Sequence, residues 1–484
     1  MIDKIYKPVP ANSLALFRIL FGVIMLWEVY RYFHYGWIER YWVRPAINFT
    51  YEGFSWVTPL SAEGMTFLFV VMGVLALFVT IGFMYRFSAA LLFVIFSYTF
   101  LLEQARYLNH FYLVMLISFL MIFLPAHNKY SVDSYLFRSN RSKWVPKWTV
   151  LILQFQIGIV YLFGGIAKLN RDWLSGSPMD MWLPRRSDFP LIGSLFEHYE
   201  TALIMSYSGL ILDLVAFPLL MVRKTRPWIF AGLILFHFMN DRIFTIGIFP
   251  WFMIGALTIY LPTTWPKDLY RYLTTLSPTR KQMWISVALL GGLTGSWFHE
   301  SIALVPFTIS AIIMVILVWD FLVNPAEETH LTFEEPGFQK SGWVTAGLAL
   351  WIFIQITLPM RHTLISGNPS WTEEGHRFAW HMKLRSKSCV EQFYLLDRES
   401  GEKQAINGMP FLESWQRSKV SARPQLVVQY ASFLSKIYNN QPVYADIRCS
   451  LNGREERKLI DPNRDLTQVT FKDWKQNDWI FRYE

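Results

Sequence analysis

Long apolar runs separated by short polar connections occupy the chain up to about residue 360. Runs of about 17–25 mainly apolar residues that end at charges, prolines or belts of tryptophan and tyrosine are typical of membrane-spanning helices. The runs that meet this description lie near residues 14–33, 64–84, 88–103, 107–124, 149–168, 201–221, 228–242, 246–262, 283–298, 303–323 and 343–360. Because several are short enough to be re-entrant or kinked, we predict about 9–11 transmembrane helices.

After the last run, the pattern becomes that of a domain in water. The segments that alternate like strands are Phe378–Leu384, Cys389–Leu396 and Val443–Leu451, the last followed by the hairpin-turn pair Asn452-Gly453 and by Lys458-Leu459-Ile460. One helix is predicted near 425–438. The predicted fold is therefore an all-α polytopic membrane domain over residues 1–362, followed by a small β-rich extramembrane domain over residues 363–484.

The composition agrees with a membrane protein. Of the 484 residues, 53% are hydrophobic, 17% are aromatic and only 17% are charged, and the mean hydropathy is +0.26. Soluble proteins carry roughly 25% charged residues. The formal net charge is +9, but the basic residues lie in short loops, a pattern that orients helices in a membrane. We therefore expect an integral, multi-pass membrane protein with no nucleic-acid partner.

The most basic loops fall on one side of the predicted membrane. They are Pro125–Trp148, the loop with Arg223, Lys224 and Arg226, and the loop with Lys267, Arg271, Arg280 and Lys281. The positive-inside rule assigns this side, and with it the N-terminus, to the cytoplasm. An odd number of spans then places both Lys168 and the C-terminal domain on the non-cytoplasmic side.

The cysteines and the N-terminus narrow the class of protein further. Cys389 and Cys449 are the only cysteines, so they permit at most one disulfide and exclude a cysteine-based zinc or iron–sulfur cluster. Met1–Pro10 is polar, and the apolar run that follows has no small-residue cleavage site. We therefore expect no cleavable signal peptide.

Lys168 closes the fifth apolar run, a few residues after Gly164-Gly165. A lysine this close to hydrocarbon is costly and needs a reason to be there. One reason is snorkelling, in which the amine reaches the lipid headgroups while its stem stays in hydrocarbon. The other is catalysis, because desolvation favours a neutral amine that can act as a base.

Other polar residues inside or beside the apolar runs are also functional candidates. They are Arg18 and Glu28; Glu103, Asn109 and His110; Arg171, Asp172 and Trp173; Asp213; and His237 and Asn240, followed by Asp241 and Arg242. The predicted topology brings the groups around His110, Lys168 and His237 to the same membrane surface. This convergence suggests a single site.

Each of these groups also has a structural interpretation. His237 and Asn240 can be hydrogen-bond partners between helices. Asn109 and His110 can cap the start of a helix. Asp213 can pair with Arg18 or with another buried cation.

Common catalytic motifs are missing from the sequence. It contains no GxSxG elbow, P-loop, GxGxxG fingerprint or HExxH pair. His362, His376 and His381 are too few and too scattered to indicate a metal, so no metal is expected. A transporter would be expected to show broken helices in repeated halves, and no such symmetry is visible.

Several stretches match one known family in the order in which that family has them. They are Leu16-Phe17-Arg18 through Phe21-Gly22, Tyr85-Arg86, Asn109-His110 with Tyr112, Ser131-Val132-Asp133, Ile166–Trp173, Leu212-Asp213-Leu214, the run FHFMNDRIFTIGIF from Phe236, Leu358-Pro359 with His362, Trp371–Trp380 and Ile460-Asp461-Pro462. Together these stretches make the chain similar to the vitamin K-dependent γ-glutamyl carboxylase family. They extend over nearly the whole chain.

The resemblance implies a lyase that couples two reactions. Reduced vitamin K, a hydroquinone of the menaquinone or phylloquinone type, reacts with O2 and becomes the 2,3-epoxide, while CO2 adds to a peptide glutamate to give γ-carboxyglutamate. The implied partners are the lipid bilayer, a glutamate-containing peptide or protein, and a quinone reductase that supplies the hydroquinone. We expect a shorter, bacterial relative in the inner membrane, or an endoplasmic reticulum membrane protein if the source is eukaryotic.

The resemblance also assigns roles to residues. The family lysine that matches Lys168 is the base towards the hydroquinone, the histidine matching His110 serves glutamate carboxylation, and the one matching His362 assists near the quinone. The residues expected to bind substrate are Asn109, His237, Asn240, Trp371, Arg377 and Trp380, and those expected to be structural are Arg18 and Asp213. We expect Lys168, His110, His237 and His362 to line one cavity that opens to lipid.

Three questions stay open at this point. The Trp371–Trp380 segment can be a structural junction, with Glu373, Glu374 and Arg377 paired to each other, instead of a substrate contact. The chain lacks the long lumenal region of the animal enzymes and has an additional hydrophobic hairpin at 283–323, so propeptide recognition is not expected. The alternative functions are a quinone epoxidase without protein carboxylation and a non-enzymatic multi-pass membrane protein in which Lys168 only snorkels.

Overall fold

The computed structural model of the chain describes residues 2–137, 141–189, 192–244, 246–275, 277–279, 282 and 337–483. The predicted spans 283–298 and 303–323 lie outside these residues. Within them, a helical N-terminal region precedes a C-terminal region with a small sheet. The predicted fold class is confirmed.

The membrane region consists of helices joined by connections of different lengths. Of the connections that the structure largely describes, the longest follow α1 and α5. Its longer helices are α1 (Asn12–His34), α2 (Ala62–Ile81), α3 (Tyr85–Leu101), α4 (Asn109–Phe123), α5 (Trp148–Ala167), α6 (Tyr199–Met221), α7 (Arg226–Phe244), α8 (Phe249–Leu257), α9 (Trp265–Thr275) and α10 (Gly342–Met360). Single-turn helices cover Ile2–Ile5, Val132–Leu136, Arg171–Leu174 and Met179–Trp182. Strands β1 (Pro8–Pro10) and β2 (Trp144–Pro146) pair antiparallel and join the chain before α1 to the chain before α5.

Five of the described helices are long and apolar enough to cross a membrane. They are α1, α2, α5, α6 and the segment Gly342–Leu364, and shorter apolar helices cover Tyr85–Leu101, Asn109–Phe123 and Phe249–Tyr260. The outer face of α2 exposes Phe67, Val70 and Val74, which suits contact with lipid tails. The described helices thus form a multi-pass membrane bundle.

Helix α5 lies near the centre of this bundle. About 72% of its most apolar window is buried, against 33% for α6 and 11% for the segment Gly342–Leu364. It packs against α4, α6 and α10. A side chain at the end of α5 is therefore surrounded by protein even though the helix itself is apolar.

Arg18 is a structural residue in a different part of the bundle. Its fully buried guanidinium donates hydrogen bonds to the carbonyl oxygens of Val79, Thr80, Ala126 and Tyr130. These carbonyls belong to the end of α2 and to the connection after α4, where the helices leave their last carbonyls unpaired. Arg18 thus joins three segments and does not pair with Asp213.

The C-terminal region is a four-stranded antiparallel sheet with two helices. The strand order is β4-β3-β5-β6, with β3 (Lys387–Leu396), β4 (Lys403–Ile406), β5 (Val443–Leu451) and β6 (Arg457–Lys458). Helix α11 (Ser414–Val420) leads to α12 (Pro424–Ile437), which packs on β5. Cys389 and Cys449 face each other on β3 and β5 and form a disulfide. The predicted strands at 389–396 and 443–451 and the helix near 425–438 are all present.

The predicted strand at Phe378–Leu384 is wrong. This segment turns repeatedly, with positive φ at Phe378 (59°), Trp380 (60°) and Lys383 (54°), so it cannot pair as a strand. Its apolar and polar side chains alternate because the segment lies between the two halves of the protein. Trp380, for example, packs its ring 5.0 Å from the ring of Tyr112 in α4.

Hydrogen bonds hold the C-terminal region against the loops of the membrane region. The Gln429 side chain donates to and accepts from the backbone of Thr50. Arg423 donates to the carbonyl oxygen of Ala105, and Gln416 donates to that of Ile47. Side chains of α11 and α12 are thereby positioned beside the start of α4.

Candidate active site

Lys168 directs its amine into the protein. It lies directly after α5, where Asn170 starts the next turn by accepting a hydrogen bond from the Trp173 backbone N–H. The Lys168 Nζ donates to the Gly164 carbonyl oxygen at 3.2 Å and to the Asp213 Oδ2 at 2.5 Å. Lys168 is 5% exposed and Asp213 is 3% exposed. The side chain folds back along its own helix, which is the opposite of snorkelling towards headgroups.

Gly164 and Gly165 allow α5 and α6 to approach closely enough for this pair to form. A Cβ at Gly165 would lie 2.9 Å from the Leu214 backbone nitrogen, and a Cβ at Gly164 would lie 3.4 Å from the Asp213 Oδ2. Contacts under 3.0 Å with backbone cannot be relieved by rotating a side chain. The two glycines therefore set the distance between Lys168 and Asp213.

We expect Gly165→Ala to lower the stability of the protein by about 1–3 kcal/mol, because the added methyl group forces α5 away from α6. The readout is the thermal unfolding temperature in detergent. Gly347→Ala is the matched control, since a Cβ at Gly347, in α10, meets no atom within 4 Å. If both variants unfold at the wild-type temperature, the close approach at Gly165 does not limit stability.

A cavity of about 450 Å³, the apolar cavity, contains the Lys168–Asp213 pair. Helices α5, α6, α7 and α8 and the loop after Lys168 contribute its walls, which are mainly apolar. Two of its lining side chains, Leu195 and Leu235, are 52% and 45% exposed. The neighbouring outer face of α6 carries exposed Ile204 and Ile211, so the cavity opens on an apolar surface.

His237 and Asn240 also line the apolar cavity. The His237 Nε2 lies 2.7 Å from the Tyr161 hydroxyl oxygen, and its Nδ1 has no hydrogen-bond partner in the described part of the chain. Asn240 donates to the Phe236 carbonyl oxygen one turn back. Each of the two side chains therefore makes a contact to a helix and also lines the cavity.

A second cavity of about 320 Å³, the basic cavity, lies between the start of α4 and the C-terminal region. Asn109 and His110 line it from α4. Its charged lining residues are the cations Arg377, Lys383, Arg385, Lys419 and Arg423 and the carboxylate Glu373. Because Glu373 pairs with Arg385, the cavity retains a strong excess of positive charge. Such a site attracts carboxylates.

Burial changes the titration of several groups in the basic cavity. It lowers the pKa of Arg385 and of Arg423 to about 9, with neighbouring guanidinium groups adding to the effect, so both remain charged at neutral pH. Burial also lowers the pKa of His376 and His381 well below their ordinary range, and nearby cations and imidazoles contribute. The arginines therefore supply charge in this cavity, whereas the two histidines are neutral.

Arg377 has the geometry of a ligand-binding residue. It is 2% exposed, its Nη1 donates to the Gln425 Oε1 at 2.6 Å, and its Nη2 has no partner among the described residues. An unpaired buried donor of a charged group is costly unless something else accepts from it. Asn109 is held in place beside it, because it accepts from the Tyr107 hydroxyl and donates to the His381 carbonyl oxygen.

The two cavities touch. Among the described residues they share Ile246, Phe249, Met382 and Lys383 as lining residues. The Phe249 ring stacks on the His110 ring with centroids 5.5 Å apart and meets the His237 ring edge-on at 5.9 Å. Lys168, His237 and His110 are thus brought together as expected from the sequence, but across two adjoining cavities.

His362 lines neither cavity. Its Nδ1 lies 2.8 Å from the Pro359 carbonyl oxygen, and its ring centroid lies 4.7 Å from that of His381. Gly375 allows this packing, because a Cβ there, at φ 65°, would lie 2.8 Å from the His362 Cβ. His362 therefore supports His381, which does line the basic cavity.

Trp371 and Trp380 also lie outside both cavities. Trp371 is fully buried in the core of the C-terminal region and donates to the Phe481 carbonyl oxygen. Trp380 is fully buried in the core of the membrane region. Nearby, Glu374 pairs with Arg482, so neither it nor Glu373 pairs with Arg377. The structure supports a junction role for the two tryptophans and a cavity position for Arg377.

Sequence reasoning missed most of the basic cavity. Lys383 and Arg385 follow Arg377 closely, so the local density of cations after Arg377 was a usable signal. Lys419 and Arg423 lie in a similarly cationic stretch, but the sequence does not show that α11 and α12 bring this distant stretch to the cavity. In the part of the chain that the structure describes, no cluster of three or more histidine, cysteine or acidic residues is arranged to hold a metal ion.

Two family models match the chain. Residues 6–265, more than half of the chain, match the model of the HTTM domain. Residues 340–484 match the model of the vitamin K-dependent gamma-carboxylase lumenal domain. No solved structure matches the chain.

Proposed function

The chain belongs to the vitamin K-dependent gamma-carboxylase family, and on this premise we propose that it uses vitamin K hydroquinone, O2 and CO2 to convert peptide glutamate to γ-carboxyglutamate. One observation carries the proposal. An apolar cavity that holds a buried lysine–aspartate pair shares a wall with a cavity rich in arginine and lysine. The first suits a quinone with an isoprenoid tail, and the second suits a carboxylate.

The reaction needs a base that no side chain can supply. The γ-C–H of glutamate is far too weak an acid for histidine, lysine or a carboxylate, whose general-base contribution is about 10²- to 10⁴-fold. When bound, vitamin K hydroquinone would supply that base through its reaction with O2 to the 2,3-epoxide. The residues of the protein therefore have two tasks, which are to remove the first phenol proton and to hold the glutamate nearby.

We assign the first task to Lys168 together with Asp213. A hydroquinone hydroxyl has a pKa of about 10, like that of tyrosine, so an amine is a suitable acceptor for its proton. When the proton of this pair lies on the Asp213 Oδ2, across the 2.5 Å contact, the Lys168 lone pair is free to accept the phenol proton. Asp213 is thus a positioning and proton-holding partner and not only a structural residue.

We assign the second task to the basic cavity. Arg377 presents a free Nη2 there, and Arg385 and Arg423 add positive charge. Charge-assisted bonds from these groups would hold the glutamate γ-carboxylate, and they would also stabilise the additional charge of the γ-carboxylated product. Asn109 and His110 complete the side of this cavity that faces Phe249.

The disulfide supports the proposed orientation. Disulfides persist in oxidising compartments, and the Cys389–Cys449 bond joins the central strands of the C-terminal sheet. We therefore place this region and both cavities on the non-cytoplasmic side, in the bacterial inner membrane or in the endoplasmic reticulum. The implied partner that supplies the hydroquinone is a quinone reductase.

The function is tested with the purified protein in lipid vesicles, supplied with vitamin K hydroquinone, a glutamate-containing peptide and radiolabelled CO2. We expect both the 2,3-epoxide and acid-stable label in the peptide. The same mixture with oxidised quinone is the control and should give neither. Epoxide without label would indicate an epoxidase that does not carboxylate protein, and the absence of both products would contradict the proposal.

A further inference from the structure

A third cavity, the polar cleft, lies where the loop after Lys168 meets the turn between β5 and β6. Its volume is about 460 Å³, and among the described residues it shares no lining residue with the apolar or the basic cavity. Its charged lining residues are the cations Arg171, Arg454 and Arg457 and the carboxylates Asp172 and Glu455, and the other lining residues are serines, an asparagine and a tyrosine. Such a lining suits a charged ligand and not a quinone.

One carboxylate of the polar cleft already has its partners. The Asp172 Oδ2 accepts a hydrogen bond from the Asn452 Nδ2 at 2.8 Å, and the Asp172 Oδ1 pairs with Arg454. These contacts hold the β5–β6 turn against the loop after Lys168. In the part of the chain that the structure describes, Arg171 and Arg457 pair with no carboxylate and Glu455 pairs with no cation. The polar cleft therefore retains one excess positive charge.

Two of the guanidinium groups are neighbours. The Cζ atoms of Arg454 and Arg457 lie 5.2 Å and 5.1 Å from the ring centroid of Tyr483. The Tyr483 hydroxyl donates to the Glu455 carbonyl oxygen at 3.2 Å, which holds the ring beside the turn. Like charges this close repel each other, and a bound anion would replace the repulsion with charge-assisted hydrogen bonds. Guanidinium groups match the oxygen geometry of phosphate especially well.

The polar cleft also lies beside an apolar helix face. Ser175, which lines the cleft, accepts at its carbonyl oxygen a hydrogen bond from the Tyr199 hydroxyl at the start of α6, and the Leu174 carbonyl oxygen accepts from the Tyr207 hydroxyl. Tyrosines at the end of an apolar helix are typical of the membrane–water interface. The exposed side chains that follow along one face of α6 are Ile204, Tyr207 and Ile211. A soluble anion has no use for this apolar face, whereas a lipid does.

We propose that the polar cleft binds the phosphate headgroup of an anionic phospholipid whose acyl chains lie along the exposed face of α6. Arg171 and Arg457 bind the phosphate from two sides. Because Arg171 belongs to the membrane region and Arg457 to the C-terminal region, the lipid joins the two regions. Neither the site nor its ligand depends on the proposed function.

The site is tested by titrating the purified protein in neutral detergent with phosphatidylglycerol and counting bound lipids by native mass spectrometry. We expect phosphatidylglycerol to bind at least about tenfold more tightly than phosphatidylcholine, which carries the same phosphate but no net charge. It should also raise the thermal unfolding temperature by about 2 °C or more. Equal affinity for the two lipids would contradict an anion site.

Arg171→Ala and Arg457→Ala should each weaken the binding of phosphatidylglycerol by about tenfold, because each removes a charge-assisted contact. Both side chains are exposed, so the variants should fold and should unfold at the wild-type temperature when no lipid is added. Wild-type affinity in both variants would overturn the site.

Arg40→Ala is the matched control. Arg40 follows α1 at the same predicted membrane surface, is exposed, and lies with its Cζ 5.6 Å from the ring centroid of Tyr41, much as Arg457 lies over Tyr483. It does not line the polar cleft. The control removes the same charge and should leave the lipid affinity unchanged. An equal loss of affinity in Arg40→Ala would show only a general attraction of anionic lipid to a basic protein and would overturn the proposal.

Two competitors separate the lipid from other sources of negative charge. We expect that neither glycerol 3-phosphate nor a glutamate-containing peptide displaces phosphatidylglycerol, because neither contacts the apolar face of α6. Equal stabilisation by glycerol 3-phosphate would assign the polar cleft to a soluble phosphate and overturn the lipid. Displacement by the peptide would make the cleft a peptide subsite and would overturn it as well. These measurements need no turnover, so their outcome is independent of the reaction that the protein catalyses.

Discussion

Replacing Lys168 with alanine is expected to lower the rates of hydroquinone epoxidation and of CO2 fixation together by about 10²- to 10⁴-fold, the usual contribution of a positioned proton-transfer group. Both activities fall because both depend on the first deprotonation of the hydroquinone. The Lys168 amine lies in the apolar cavity, and the residue is 5% exposed and in contact with Asp213. The measurement is initial rates of epoxide formation and of label incorporation in vesicles.

Two further variants separate this role from the general effects of removing a lysine. Lys147→Ala is the matched control, because Lys147 is exposed at the other end of the same helix and lines neither cavity. It should keep wild-type rates. Lys168→Arg keeps the positive charge, but a guanidinium group does not release its proton. This variant should therefore be nearly as inactive as Lys168→Ala. Undiminished epoxidation in Lys168→Ala would contradict the assignment.

Removing Asp213 alone is expected to destabilise the protein strongly. Asp213→Leu leaves the Lys168 ammonium buried without its counter-ion, and breaking one half of a buried pair costs about 3–5 kcal/mol. The thermal unfolding temperature in detergent should fall accordingly. This loss of stability is larger than the loss expected for Gly165→Ala, because that variant only displaces α5 from α6.

The double variant Lys168→Met/Asp213→Leu distinguishes a structural pair from a catalytic one. Replacing both charges with apolar groups of similar size removes the desolvation cost of both, so most of the lost stability should return. Epoxidation should not return, because the proposed base, the Lys168 amine, is absent. A double variant with wild-type activity would mean that the pair only holds α5 and α6 together.

The local pattern of the sequence was sufficient for most of the architecture. Apolar run length predicted the membrane helices, and the composition change near residue 361 predicted the C-terminal region. The pair Asn452-Gly453 adopts positive φ at both residues, 52° and 74°, as its turn signal predicts. These features depend on residues that are close in sequence, so the sequence displays them directly.

The Phe378–Leu384 segment shows where local pattern fails. Its alternation is real, but Phe378 and Trp380 pack on Tyr112 of α4, whereas Leu384 packs in a separate cluster with Trp173. Similarly, Trp371 was expected to contact substrate and instead fills a core. A side chain buried between two structural units cannot be distinguished by sequence alone from one that faces a ligand.

The sequence by itself was sufficient to predict that a lysine ends an apolar helix, that polar groups around His110, Lys168 and His237 come together, and which family the chain resembles. Only the tertiary structure decided that Lys168 turns inward to Asp213 and that His110 belongs to a separate, basic cavity. It also decided that Arg423 reaches that cavity and that Phe249 stands between the two histidines. The physical reason is that burial, ion pairing and cavity walls arise from packing between segments distant in the chain, for which no local periodicity exists.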